Sequence, residues 1–137
     1  VPHPVMTAFD VPDRESCTAR RSRTNTPLQS LVLLNEPGFV EAARGLGTRL
    51  MKSDGDDRAR LTLGFRLATA RQPTAKELTV LEAALARGRA SFTAESARRY
   101  LAVGTVPADV ALPSVELAAW SAIGSLLLNL DATISRN

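Results

Sequence analysis

From Thr26 to Asn35 the chain joins a helix start to an apolar run that leaves almost no polar face. Thr26 is a favoured N-cap, and Pro27 falls at the first helical position, where its missing N–H removes no bond. Gln29 stands at the third position, from which its side chain reaches back to the N–H of the cap. Leu28, Leu31, Val32, Leu33 and Leu34 then point in nearly every direction around the axis. A helix that is hydrophobic all round is a buried one. This stretch therefore predicts a central helix, ending near Asn35, which the rest of the chain must cover.

The covering elements also read as helices. From Pro37 to about Lys52, Phe39, Ala43, Leu46 and Leu50 recur at helical spacing, while Glu41, Arg44, Thr48 and Lys52 fall on other faces. Gly45 and Gly47 either weaken this helix or allow a close crossing with another. Ser53 to Asp57 is a loop whose acids suit the positive end of the next helix. That helix runs from about Asp57 to Thr69, with Leu61, Phe65 and Ala68 on its apolar face and Leu67 beside them. Thr74-Ala75-Lys76-Glu77 is a capping box, and Leu78, Leu81 and Leu85 give the stripe of a helix ending near Gly88 or Ala90. The connector Arg71-Gln72-Pro73 is short enough for these two helices to pack as an antiparallel hairpin. Thr93 or Ser91 caps a short helix with Tyr100 and Leu101 inward, stopped by Gly104. After a loop from Thr105 to Pro113, Ser114 caps a last helix carrying Glu116, Trp120, Ile123, Leu127 and Leu130.

No stretch alternates with a period of two. The expected fold class is all-α, a single compact bundle of five or six helices over residues 25–137. An extended lead-in over residues 1–24 precedes it, where Pro2, Pro4 and Pro12 break any helical period. The 137 residues suffice for one domain with one core. The start at Val1, with no basic and apolar leader, reads as a fragment of a larger protein. The longest uncharged run, Leu117 to Leu130, is too short to span a bilayer as a helix and suits a buried core helix.

Composition narrows the chemistry. Cys17 is the only cysteine and His3 the only histidine, so there is no intramolecular disulfide and no Cys-x-x-Cys-His haem attachment. The same scarcity removes the base that a Ser or Cys nucleophile needs, and most zinc sites. No catalytic residue, metal ligand or resident cofactor is assigned to this chain, and the residues lean against an enzyme without deciding the question. A net charge of +3 with only 4% aromatic residues does not suit a nucleic-acid binder.

One anion-binding candidate remains. Arg20, Arg21 and Arg23, with Thr24 and Asn25, lie just before a helix start and Gln29 in its first turn, where guanidinium groups suit a phosphate, sulfate or sugar acid. Asp10, Asp13 and Glu15 lie close upstream, and the competing reading is that the arginines tie the lead-in to the helix ends. The expected structural caps are Thr26, Asn35, Thr74, Glu77 and Asn129. The amides of Asn25, Asn35 and Asn129 are each placed at a helix boundary.

Several of these residues carry a family resemblance. Phe9-Asp10-x-Pro12-Asp13, Cys17, Arg20-Arg21-x-Arg23-Thr24-Asn25-Thr26-Pro27-Leu28-Gln29 and Leu33-Leu34-Asn35 resemble the C-terminal region of a planctomycete-specific domain of unknown function, number 1553. The likeness continues through Glu41-Ala42-Ala43-Arg44, Phe65-Arg66-Leu67, Pro73-Thr74 and Glu77-Leu78, and closes with Trp120 and Leu127-Leu128-Asn129-Leu130-Asp131. At Ala70, before Arg71, that pattern would have a glycine. The resemblance implies a module at the end of a large exported, periplasmic or cell-surface protein with a cytochrome-c-like domain. Haem c then belongs elsewhere in the parent, and the partners are the parent's other domains. The expected function is a non-catalytic helical module. Its alternative is an enzymatic or anionic-ligand role in breaking down extracellular polysaccharide, including sulfated glycans.

Overall fold

The computed structural model describes residues 36–130. Five helices follow in order: α1 (Pro37–Lys52), α2 (Asp57–Thr69), α3 (Ala75–Ser91), α4 (Ala94–Leu101) and α5 (Ser114–Leu128). No strand occurs among the described residues, so the all-α class holds. The helix opened by Thr26 and the lead-in before it lie outside the described residues.

Each helix begins for a local reason. Pro37 opens α1, whose cap position, Glu36, makes no side-chain bond. The Asp56 carboxylate accepts the Ala59 N–H at 2.9 Å and starts α2. Thr74 and Glu77 form a reciprocal box on α3: Thr74 N–H donates to Glu77 at 2.7 Å, and Glu77 N–H to the Thr74 hydroxyl at 3.2 Å. Thr93 and Ser96 do the same for α4. At α5 the outcome differs from the sequence reading. Ser114 is the first helical residue, Pro113 takes the cap position, and no side chain caps the end.

Among the described helices α5 is the centre. It touches all four others, and its most extensive partner is α1. Eight of its fifteen residues are buried, including Leu117, Trp120, Ile123 and Leu127. Its apolar side chains serve two clusters at once. One gathers Leu50, Leu61, Phe65, Leu78, Leu81 and Leu85 around Trp120, Ile123 and Leu127. The other sets Ala97 and Leu101 of α4 against Leu117 and Ala118. Burying such residues supplies the main stabilising term, about 25 cal/mol per Å² of apolar surface.

The α1–α5 contact depends on small residues. A Cβ on Gly47 would stand 2.8 Å from the Trp120 carbonyl carbon and the Ser121 nitrogen, and one on Gly124 would collide with the Ala43 carbonyl oxygen. The two backbones therefore approach more closely than side chains permit. Gly45, two positions from Gly47, has nothing within 4 Å of such a Cβ among the described residues. The two readings of these glycines thus divide: Gly47 makes the crossing and Gly45 does not.

The buried face of α1 is accordingly Ala43, Arg44, Gly47 and Leu50, with Phe39 and Leu46 only partly buried. Arg44, which periodicity places off the apolar stripe, is 5% exposed. Leu67 of α2 is 41% exposed, rather than packed beside Phe65. Ala70 ends α2 with φ of 60°, the left-handed region, its N–H donating to Arg66 O at 2.9 Å. This is the position where the family pattern would have a glycine, and the backbone shows why glycine suits it.

Candidate functional site

Arg20, Arg21, Arg23, Thr24, Asn25 and Gln29, and the caps Thr26 and Asn35, lie outside the described residues. So do Cys17 and His3. Asn129 is the C-cap of α5 and its N–H donates to Ser125 O at 3.1 Å, while its side-chain Oδ1 is buried without a partner among the described residues. No group of three or more His, Cys, Asp and Glu side chains that could hold a metal ion occurs among the described residues. No helix among them is long and apolar enough to cross a membrane.

Two charged constellations organise the described part. The first is a staple from α1 to the loop between α4 and α5. The Arg44 guanidinium donates to Leu101 O at 2.5 Å, to Val103 O at 2.8 Å and to Val106 O. Glu41, one turn earlier, accepts from the N–H groups of Thr105 and Val106 and from the Thr105 hydroxyl. These loop amides, Val106 first, hold the Glu41 carboxyl below the usual carboxylate range, and the Arg44 charge adds to the effect. Gly104, at φ of 96°, leaves room for that carboxylate, which a Cβ there would strike. Arg44 is therefore a buried charge whose hydrogen bonds replace water, which is what makes its burial tolerable.

The second constellation joins three helices. Arg89 of α3 donates to Asp57 at the start of α2, at 2.5 Å, and through its Nε to both carboxylate oxygens of Glu116 in α5, at 2.9 and 3.0 Å. Glu116 also accepts the indole N–H of Trp120 at 3.1 Å, which satisfies the one polar atom of that buried ring. The hydrogen bond from Arg89 lowers the Asp57 pKa, and the bonds to Asp57 and Glu116 raise that of Arg89. A smaller clamp closes the α2–α3 turn. Arg71 bonds Glu77 through both terminal nitrogens, at 2.7 and 3.0 Å, and lies 4.8 Å from the Phe65 ring centroid.

Beside the staple runs an open groove of about 660 Å³, lined by Arg98, Leu101, Val106, Val110, Leu112 and Leu117 among others. Periodicity did not single out Glu41, Arg44 or this groove. Their partners lie more than fifty residues along the chain, where spacing within one helix carries no signal.

Residues 1–85 match the sequence profile of the family described as Protein of unknown function (DUF1553), well over half of the 137 residues. The chain belongs to that family. The match takes in α1, α2 and most of α3, including Glu41 and Arg44. It stops short of α4, the loop and α5, so Trp120 and Leu127 to Asp131 fall beyond it. No curated protein and no solved structure matches the chain significantly.

Proposed function

We propose that this chain is a non-catalytic helical module that closes or supports a larger exported protein, one that carries a haem-c domain elsewhere. The observation that carries the reading is how its partly buried charges are used. Arg44, Glu41, Arg89, Asp57 and Glu116 each join one element to another through hydrogen bonds, and although Glu41 and Arg44 border one cavity, their polar atoms are engaged by the Leu101–Val106 backbone. Groups held in this way build a scaffold. Catalytic groups, by contrast, are held with their reactive atoms open to a substrate. Family membership and the C-terminal placement implied by the resemblance are consistent with a supporting role.

The test is the longer protein prepared with and without this chain. Loss of the module is expected to lower its melting temperature and soluble yield while leaving any haem absorbance intact. The purified chain is expected to release neither reducing ends nor sulfate from sulfated polysaccharides. Turnover that scales with chain concentration and disappears on substitution of Arg20, Arg21 and Arg23 would overturn the reading in favour of glycan breakdown.

A further inference from the structure

The groove beside α4 is apolar, charged on one side and held from beneath. Val106 is 60% exposed and Val110 99%, in a loop whose backbone is well bonded. Arg44 takes three of the carbonyls in and before that loop, Glu41 takes two of its N–H groups, and Asp109 takes the Ala111 N–H at 3.0 Å. These polar groups are satisfied from the protein side, so covering the loop would not strand them. Leu101, Val106, Val110, Leu112 and Leu117 are grouped along this one groove, and apolar side chains grouped on a pre-organised backbone suit a docking partner.

The charge around the groove narrows what fits it. Arg98 lines it and has no carboxylate partner among the described residues, whereas its neighbour Arg99 pairs with Glu95 at 3.7 Å. Asp109, the acid on the same wall, is already held by Lys52 at 2.5 Å. Ser114, also on the wall, begins α5, whose N-terminus has no side-chain cap. The uncompensated charge is therefore positive. We propose that this groove docks an apolar peptide segment bearing a carboxylate, contributed by another domain, with Val106 and Val110 as its apolar contacts and Arg98 as its ion-pair partner. The inference rests on the module reading, because it supplies the contact through which support would act.

The experiment pans a random dodecapeptide library against the immobilised 137-residue chain and measures Kd for peptides synthesised from the enriched sequences. Enriched sequences are expected to place Asp or Glu beside two or more apolar residues. The double variant V106S/V110S is expected to raise Kd at least tenfold with unchanged helical content, since both side chains are exposed. Arg98→Glu, on the exposed face of α4, is expected to switch the preference from acidic to basic peptides, and gives an independent readout should the loop variant misfold. No enrichment, enrichment without acidic residues, equal binding by V106S/V110S, or no switch in Arg98→Glu would each overturn the groove. A chain that stabilises the longer protein yet enriches no such peptide loses the groove and keeps the supporting role. One that binds peptides through Val106, Val110 and Arg98 yet leaves the longer protein unaffected keeps the groove and loses that role.

Discussion

The crossing of α1 with α5 and the loop between α4 and α5 are both held by the middle of α1, by different physical means. At the crossing, Ala43 and Gly47 meet Gly124 and the Trp120–Ser121 backbone, and the contact is one of shape. In the loop, Arg44 and Glu41 hold backbone carbonyls and N–H groups, and the contact is one of charge and hydrogen bonding. Shape tolerates no added methyl group, because nothing there can move except a helix. Hydrogen bonding fixes a loop without covering it, so Val106 and Val110 remain in water. Two turns of helix, Glu41 to Gly47, thus support both a close backbone contact and an exposed apolar surface.

The largest test of this contrast is Gly124→Ala, whose new methyl group meets the Ala43 backbone. It is expected to cost about 3 kcal/mol in urea unfolding followed by circular dichroism. A change below about 0.5 kcal/mol would show that the helices separate freely, and the crossing would no longer differ from the loop. Arg44→Met is expected to cost about 2 kcal/mol, through carbonyls that lose their donors. Amide exchange should rise over residues 102–112 well before it rises in α5; equal acceleration in both would erase the distinction.

Two substitutions should stabilise, each by up to about 1 kcal/mol. Gly45→Ala adds helix propensity where a Cβ has open space among the described residues. Ala70→Gly relieves a side chain from the left-handed region. Both are read as a rise in melting temperature. A fall with Gly45→Ala would mean that this glycine, like Gly47, belongs to a packed contact.

The smallest effect is one of pH. Arg71, with help from the Thr74 N–H, lowers the Glu77 pKa from 4.5 to about 2. A carboxylate depressed on folding contributes stability that is present above pH 4.5 and lost as pH falls towards 2. Glu77→Gln is expected to flatten the stability profile across that window. The Glu41 carboxyl is lowered too, by loop amides, so Glu41→Gln should act in the same direction and show first in exchange at Thr105 and Val106. An unchanged acid profile in Glu77→Gln would remove the Arg71 clamp as its cause.

Helix number and limits in the described part were legible because their signals are short-range. The residues that make the candidate surface were not. Arg44 reads as one more arginine on a polar face until Leu101, Val103 and Val106 arrive beside it. Ser114 reads as a cap until Pro113, with φ of −59° and ψ of 127°, takes that place. The arginines ahead of Thr26, the strongest anion signal in the sequence, lie outside the described residues, and the groove instead uses Arg98, which no motif marks.

The sequence by itself determined where α3 begins, narrowed the starts of α2 and α4 to a few residues, and determined that the chain is helical. Asp56, Thr74 and Thr93 act on groups three residues away, and a helix places those groups within reach whatever surrounds it. Only the tertiary structure decided that Gly47 is buried and Gly45 free, that α5 is the centre of the described helices, and that Arg44 faces inward. Each of those outcomes depends on a neighbour far along the chain. The energy of burying a residue belongs to the pair of surfaces that meet, not to either segment alone.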